Sequence, residues 1–306
     1  MLRKLGGETS VHSQRSSDLQ HLSPAAALTR RHDRDRFQTA LFAPAEHREA
    51  LFALYAFNYE IARVREAVTQ PMLGRIRLEW WRENIAAAFG SGAVRRHPVV
   101  EALTAAIRDR RLERAHFDRI IGAREADFDD EPPSNLAALE DYSEATSSCL
   151  IYLALEALEA GDPAAVEAGR HIGIAYALAG LLRATPYLQA NGHHIIPLDI
   201  AARHRLDPHG RREASGGRAL RNAIAEIAEA GADHLRAARG PGCGGAALPA
   251  LLPAVIAAHT LKRLKHAGYN PFDPALARPD PLQGWRLLAA ALSRRFQLRR
   301  AFWAHG

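Results

Sequence analysis

Cysteine is scarce in this chain of 306 residues: Cys149 and Cys243 are its two cysteines, and they lie far apart in the sequence. Neither belongs to a CxxC motif or to a cluster of cysteine and histidine. Two isolated cysteines exclude a disulfide framework and give no indication of a zinc site. The composition therefore suits a reducing compartment.

A long uninterrupted apolar run is also missing. The longest stretch without a charged residue, 240–258, begins with several glycines and is interrupted by Pro241, Pro249 and Pro253. A transmembrane helix needs about 20 consecutive apolar residues. We therefore expect a loop that leads into a buried helix at this point, and no membrane-spanning segment.

The alternation of apolar and polar residues that marks half-buried strands does not occur, and no repeat of fixed period is present. Helical periodicity runs through most of the chain instead. Hydrophobic residues make up 47% and charged residues 24% of the sequence, as in ordinary folded domains. The sequence therefore predicts an all-α protein, which we expect to be one domain.

The chain is basic, with a formal net charge of +6 and a pI near 9.7. This balance suits an acidic partner such as nucleic acid, a membrane surface or a diphosphate, and equally a solvated surface rich in arginine. No nucleic-acid recognition motif accompanies the basic residues, so nucleic-acid binding is not expected.

Residues 1–35 are predicted to form a flexible tail. They are rich in Arg, Ser and His, but Glu8, Asp18, Asp33 and Asp35 argue against a transit peptide. The helical domain is expected to occupy residues 36–306.

Prolines and glycines divide this domain into predicted helices, with a break at Pro186 and a turn at Asn191-Gly192. The predicted helices span about 44–68, 71–90, 98–111, 115–129, 137–160, from Pro163 to the break, 218–238, 249–267 and 281–303. The first is expected to turn Leu51, Leu54, Tyr55, Asn58, Ile61, Ala62 and Arg65 inward, and the second Met72, Ile76, Trp80 and Ile85.

Four blocks of the sequence, in order, resemble the squalene/phytoene synthase family: LFALYAFNYEIARVREAV (51–68), RLEWWRENI (77–85), DYSEATSSCLIYLALEAL (141–158) and GIAYALAGLLRATPYLQANGHHIIPLDI (173–200). The resemblance extends over roughly residues 36–300. It implies an isoprenoid-synthase-like helical bundle around a central cavity. In active members, two aspartate-rich helical motifs hold magnesium bound to the substrate diphosphate, since carboxylates four residues apart share a helix face.

This sequence departs from the family pattern at both motifs. The first is degenerate, with Asn58, Ala62, Arg63 and Glu66 at its positions, and the second has Arg183, Ala184 and Leu188. Alanine and leucine cannot ligate a metal, and the arginines make the site more positive. The resemblance therefore predicts neither catalytic residues nor a cofactor here, and magnesium only if the chain is an enzyme after all.

The strings AFNYEIARVREAV and LLRATPY are similar to the non-catalytic branch of the family, the mitochondrial assembly factors for respiratory complex I (NADH:ubiquinone oxidoreductase) and their bacterial relatives. That resemblance implies a pseudoenzyme whose partners are complex I subunits or assembly intermediates. It implies a cytoplasmic protein that can associate peripherally with the inner membrane, or a matrix protein in a eukaryote.

Two other functions stay open. One is a prenyltransferase in which arginines replace metal in holding a prenyl diphosphate. The other is an isoprenoid or lipid carrier that uses the cavity. Its expected lining is Tyr55, Phe57, Tyr176 and Tyr187.

Three further features have bland and functional interpretations. His193-His194 is interpreted as a polar turn rather than a metal site, since no third ligand is evident. The basic and aromatic segment 293–303 suits either a membrane surface or a helix that packs its aromatic residues inward, and the second is preferred. An acidic cluster before two prolines is interpreted as a solvated helix end; it consists of Asp127, Asp129, Asp130 and Glu131.

Overall fold

The computed structural model describes residues 22–293, except 91, 130, 208–216 and 239–244. Helices make up the described part of the chain, which contains no strand, and the all-α prediction is confirmed. In chain order the helices are α1 Pro24–His32, α2 Arg34–Ala40, α3 Ala45–Ala62, α4 Pro71–Phe89, α5 Pro98–Asp109, α6 Arg114–Ala123, α7 Leu136–Ser143, α8 Cys149–Ala157, α9 Pro163–Ala190, α10 Leu198–His204, α11 Arg218–Ala237, α12 Leu248–Leu251, α13 Pro253–His266, α14 Pro274–Ala277 and α15 Gln283–Leu292.

Local sequence explains why these helices start where they do. Proline occupies an initial position in α4, α5 and α9, where its missing N–H group costs nothing. At α9, the carboxylate of Asp162 accepts hydrogen bonds from the N–H groups of Ala164 and Ala165, which satisfies two donors of the first turn. Asp162 therefore caps the start of α9.

Helix α9 is the centre of the bundle. It packs against α11 and α13 on one side and against α7, α8 and the turn between them on the other. That turn, Glu144–Ser148, is a π-helical turn. It approaches α9 so closely that a Cβ atom on Gly173 would lie 2.6 Å from the backbone nitrogen of Ser148. A glycine is therefore required for this contact.

The break predicted at Pro186 is wrong, because α9 continues to Ala190. Proline removes one helical hydrogen bond but need not end a helix that is packed on both sides. Pro186 leaves the carbonyl oxygen of Leu182 without its helical donor, and the Thr185 hydroxyl donates to the neighbouring carbonyl oxygen of Leu181 at 3.2 Å. The turn at Asn191-Gly192 follows as predicted, with Gly192 at φ +75°.

Helix α3 is the centre of a second group of helices. It packs against α1, α2, α5 and α8. Its Phe57 is fully buried. The ring makes edge-to-face contacts at 5.4 Å with both Trp81 of α4 and Phe117 of α6. These aromatic contacts fix the positions of three helices.

The predicted tail is wrong for residues 22–35, while residues 1–21 lie outside the described residues. Helix α1 begins at Pro24 and buries Ala25, Ala26 and Thr29. The small side chains allow α1 to lie on α3, where the Thr29 hydroxyl contacts the carbonyl oxygen of Phe52 at 3.3 Å. The folded domain therefore starts before residue 36.

The inward face predicted for α4 is also wrong. Met72 and Ile76 are 62% and 57% exposed, and Trp80 is half-buried. Ile85 is buried as predicted, but the rest of the buried face runs through Gly74, Leu78 and Trp81 instead. Ala62, the last residue of α3, and Arg65, in the turn that follows it, are likewise only partly buried.

Two predicted features fall partly or wholly outside the described residues. Helix α15 ends at Leu292, and the segment 294–303 and Cys243 are not described.

One described stretch, 245–266, is long and apolar enough to cross a membrane, but 67% of its most apolar window is buried in the fold. A core helix meets the same criterion.

Candidate functional site

Two connected chambers form a cleft beside α9. We call the smaller chamber, of about 290 Å³, the inner chamber and the larger chamber, of about 850 Å³, the outer chamber. Asp35, Arg36, Tyr176 and Arg183 line both. Volumes of this size are typical of ligand sites.

The structure brings the second degenerate motif to the inner chamber, together with one residue of the first. Arg183, Ala184 and Leu188 of α9 line it, and so does Asn58 of α3. Ala62, Arg63 and Glu66 line neither chamber. The two motifs therefore meet at Asn58 but not along their whole length.

The remaining first-motif residues interact outside the cleft. The guanidinium of Arg63 lies 5.4 Å from the ring of Tyr59 and 3.9 Å from the carboxylate of Glu60. The carboxylate of Glu66 accepts a hydrogen bond from the hydroxyl of Tyr187 at 3.1 Å. Glu66, the one acidic residue at the motif positions, is thus exposed and hydrogen-bonded to Tyr187 of α9.

Asp35 is the acidic centre of the cleft. It accepts a 2.8 Å hydrogen bond from the amide of Gln283 and a 3.4 Å bond from the hydroxyl of Tyr176. Arg183 lies 4.0 Å from the same carboxylate. Two helices distant in sequence from Asp35, α9 and α15, therefore converge on its carboxyl group.

Arg36 lines both chambers. Its guanidinium lies 4.8 Å from the ring centre of Tyr176, 6.0 Å from that of Tyr55, and 2.8 Å from Asp33. Burial lowers the pKa of Arg36, but Asp33 and the two tyrosines outweigh it and raise that pKa overall. Burial also raises the pKa of Tyr176. The arginine therefore stays charged and the tyrosine stays neutral.

A second buried arginine lies at the other side of the inner chamber. Arg124 donates to the Tyr142 hydroxyl at 2.7 Å and to Asp127 at 3.3 Å, and Tyr142 donates to Asp127 at 2.6 Å. Burial raises the pKa of Tyr142. The interpretation of Asp127 as a solvated residue is wrong, since its side chain is only 20% exposed.

The other acidic residues of that cluster differ from Asp127. Asp129 is 63% exposed and lies 3.7 Å from Arg75. Glu131 is exposed, and Asp130 lies outside the described residues. The cluster is therefore divided between a buried network and the surface.

Of the four aromatic residues expected to line the cavity, Tyr176 and Tyr187 do so. Tyr55 and Phe57 do not line either chamber. Tyr55 is buried behind Arg36, and Phe57 packs into the aromatic core. In these positions each ring is enclosed on all sides, which buries more apolar area than a position at a chamber wall would.

Sequence reasoning missed Asp33, Asp35, Arg36 and Arg124. The first three fall next to the expected domain boundary, in the string DRDRF. A helix cap was the available signal, since the Asp33 carboxylate accepts the N–H group of Arg36 at 3.0 Å. For Arg124 the available signal was Asp127, three residues along the chain, whereas its other partner, Tyr142, lies 18 residues away.

The donor set of the inner chamber does not fit magnesium. Asp35 is its carboxylate-bearing residue among the described part of the chain, and that group already has three partners. Magnesium needs carboxylate or phosphate oxygens in near-octahedral geometry.

A different set of metal-ligand residue types lies outside the cleft. Ligand atoms of Glu113, His116 and Glu156 come within 4.8 Å of one another. Burial lowers the pKa of His116, but hydrogen bonds with Cys149 and Glu156 outweigh it and raise the pKa to about 9. The imidazole is therefore protonated at neutral pH and pairs with the glutamates.

His193 lies in the turn after α9, where its backbone N–H group bonds to the carbonyl oxygen of Leu188.

Comparison with known proteins agrees with this arrangement. The family model for squalene/phytoene synthase matches residues 29–293. A bovine protein named NADH dehydrogenase (ubiquinone) complex I, assembly factor 6 is 32% identical over 268 residues, which cover 85% of this chain and 80% of that protein.

Two solved structures share the fold. A dehydrosqualene synthase in complex with ligand superposes with a TM-score of 0.74 at 17% identity, covering 91% of this chain and 96% of the other. The squalene synthase HpnC from Alicyclobacillus acidocaldarius gives a TM-score of 0.69 at 21% identity, covering 81% and 94%. At 17% and 21% identity, these comparisons show a shared fold and nothing further.

Proposed function

Because this chain belongs to the squalene/phytoene synthase family, we propose that it uses the family fold as a non-catalytic assembly factor for respiratory NADH dehydrogenase (complex I). The bovine relative named as a complex I assembly factor aligns over most of both chains, which supports the proposal. Its partners would be complex I subunits or assembly intermediates.

The observation that carries the proposal is the chemistry at the motif positions in the cleft. Ala184 and Leu188 face the inner chamber where carboxylates would be needed to hold magnesium. Prenyl transfer requires the diphosphate to leave, and the negative charge that develops on it must be stabilised. Neither side chain can contribute to this.

The arginines of the inner chamber do not replace the metal, because each faces an aspartate of the chain. Arg36 lies 2.8 Å from Asp33 and Arg124 lies 3.3 Å from Asp127. Arg183 lies 4.0 Å from Asp35. Their positive charge is balanced internally, which weighs against tight binding of a diphosphate.

The place of action would be the cytoplasm or the surface of the inner membrane, and the matrix in a eukaryote. The basic charge of +6 supports peripheral contact with an anionic membrane. The exposed Met72, Leu73 and Ile76 on α4 add an apolar patch next to Arg75.

Two experiments test the proposal. In the source organism, removal of this chain should lower the amount of assembled NADH dehydrogenase, and its subunits should co-purify with the tagged protein. Purified protein given farnesyl or geranylgeranyl diphosphate with magnesium should release no diphosphate above background. Release that falls in Arg183→Ala would overturn the non-catalytic proposal and favour a prenyltransferase.

The second candidate function is binding of an isoprenoid or other lipid. The observation that favours it is the cleft itself, since the inner chamber of about 290 Å³ remains open beside the degenerate motifs. A protein that only presented a docking surface would not need this space. Lipid that co-purifies with the chain would support this function.

A further inference from the structure

Side chains of the types that ligate metals meet between α6 and α8, outside both chambers of the cleft. Glu113 is the residue before α6, and His116 lies in the first turn of that helix. Glu156 lies near the end of α8, which packs against α6. One ligand atom from each residue lies within 4.8 Å of the other two. We call these three residues the α6–α8 cluster.

The sequence spacing at α6 brings two of the ligands to the same side of the helix. Glu113 and His116 are three positions apart, in the string ERAH, and residues with this spacing are neighbours on a helix surface. Helical bundles hold iron and manganese ions with Glu-x-x-His motifs and with carboxylates from facing helices. In this fold, Glu156 of α8 supplies the facing carboxylate.

The distances in the cluster match the spacing of ligands around one ion. Nε2 of His116 lies 3.7 Å from Oε2 of Glu113 and 3.3 Å from Oε1 of Glu156. A charge-assisted hydrogen bond from nitrogen to a carboxylate is shorter than both, at about 2.7–2.9 Å. Ligand atoms of a tetrahedral zinc ion, each about 2.0–2.1 Å from the metal, are about 3.3–3.4 Å apart. Both observed distances are closer to the second spacing.

Neighbouring groups hold two of the three ligands in place. Oε2 of Glu156 accepts a 3.0 Å hydrogen bond from the backbone N–H group of Glu113. The ring of His116 lies 5.1 Å from the ring of Tyr152. The side chains of His116 and Glu156 are 22% and 18% exposed. Contacts of this kind orient metal ligands and strengthen metal binding, so these two side chains have little freedom to lose when they bind an ion.

The cluster needs positive charge between its two carboxylates. The protonated imidazole of His116 supplies one such charge, as described above. A divalent ion supplies two, and it attracts each carboxylate more strongly than a single charge at the same distance. Because a metal binds the neutral imidazole, the ion must displace the proton. Proton and metal therefore compete for His116, and the carboxylates favour the more highly charged of the two.

The ligand types select the metal. An imidazole nitrogen suits zinc and other transition metals, whereas magnesium and calcium prefer oxygen ligands alone. Three protein ligands leave the fourth tetrahedral position to water, which can reach the cluster because Glu113 is 69% exposed. We propose that Glu113, His116 and Glu156 bind a zinc ion that joins the start of α6 to the end of α8. This site is independent of the assembly role and of lipid binding.

The test titrates zinc chloride into the full chain after treatment with a chelator, with binding measured by calorimetry at neutral pH. Magnesium chloride is the comparison ion and should bind at least about 100-fold more weakly. Zinc should also raise the melting temperature, because it binds the folded chain. The sequence contains 15 histidines, so weak zinc binding elsewhere is expected. Only binding that is lost in variants of the cluster therefore counts.

Glu113→Gln is the most informative variant, because this exposed side chain can change without loss of the fold. Glu113→Gln and Glu156→Gln should each weaken zinc binding by about 10- to 100-fold, at least the effect of losing an outer partner of a metal site. Both should lose the rise in melting temperature. Glu159→Gln is the matched control, since Glu159 is 71% exposed and pairs with Arg110 at 2.7 Å outside the cluster. Its zinc affinity should equal that of the parent chain.

Each outcome decides the proposal. Zinc binding that is weakened in both cluster variants and kept in Glu159→Gln would support it. Equal zinc affinity in all four proteins would place the ion elsewhere and overturn the site. If zinc neither binds the parent chain nor raises its melting temperature, the proton on His116 is the cation of the cluster, and the proposal is overturned.

Discussion

The hydroxyl group of Tyr187 donates a 3.1 Å hydrogen bond to the carboxylate of Glu66. Tyr187 lies near the end of α9 and Glu66 follows the end of α3, so this bond joins the two segments that carry the degenerate motifs. The hydrogen bond to Glu66 raises the pKa of Tyr187. A direct contact between side chains thus connects the segments that a metal cluster would bridge in an active family member.

The Arg124–Asp127 pair should be important for stability. Asp127→Asn removes the carboxylate and leaves the guanidinium of Arg124, which is 17% exposed, without a compensating charge. Breaking a buried ion pair in this way costs about 3 kcal/mol. Urea unfolding followed by circular dichroism would measure the loss. Asp129→Asn is the control, since that residue is 63% exposed and should change stability by less than about 0.5 kcal/mol. Equal stability of both variants would contradict the structural role of the pair.

Phe57 should be among the most sensitive core positions. Its ring is fully buried and contacts Trp81 and Phe117. Phe57→Ala should cost about 3–5 kcal/mol through lost burial and the cavity that remains. Trp285→Ala removes an aromatic ring that is 69% exposed and should change stability little. Thermal unfolding of both variants would test the assignment of Phe57 to the core, and a melting temperature unchanged in Phe57→Ala would refute it.

The bundle was predictable from sequence because helix starts and apolar periodicity are local signals. Pro71, Pro98 and Pro163 begin helices in the structure as they do in the predicted segments. The inward face of α4 was not predictable in this way. The buried position Gly74 lies against the ring of Phe128, where any Cβ atom would overlap. A glycine carries no apolar signal, so the pattern favoured Met72 and Ile76 instead.

The cleft was only partly predictable, because its polar contacts join residues far apart in sequence. Gln283 and Asp35 are separated by 248 positions, and no periodicity links them. The family resemblance located Arg183, Ala184 and Leu188, which do line the inner chamber. It could not locate Asp33 or Asp127: each lies only three residues from its arginine, but that spacing alone does not show that the pair is buried beside a cleft.

The contact between α9 and the π-helical turn depends on Gly173. Gly173→Ala would place a Cβ atom 2.6 Å from the backbone nitrogen of Ser148, and the backbone cannot yield as a flexible side chain can. The resulting strain should cost about 3 kcal/mol. Gly180→Ala on the same helix is the control, because nothing lies within 4 Å of the added atom. That change should stabilise the helix by about 0.5–1 kcal/mol. Urea midpoints of the two variants should therefore move in opposite directions, and a shared direction would contradict the close approach.

His116 should make stability depend on pH in the alkaline range. Its folded pKa of about 9 lies above the unfolded value of about 6.5. A group whose pKa rises on folding contributes stability that is fully present below the unfolded pKa and is lost as the pH rises through the folded pKa. The free energy of unfolding should therefore fall between pH 6.5 and 9, by up to about 3 kcal/mol from this group.

His116→Gln isolates this contribution, because other groups titrate equally in both proteins. The difference in unfolding free energy between the parent chain and the variant should be large at pH 6 and should shrink by pH 9.5. Glu156→Gln should reduce the same difference, since the Glu156 carboxylate lies 3.3 Å from the imidazole and helps to raise its pKa. If the difference stays constant from pH 6 to 9.5, the imidazole keeps one protonation state over this range. In that case its hydrogen bonds with Cys149 and Glu156 do not favour the charged form.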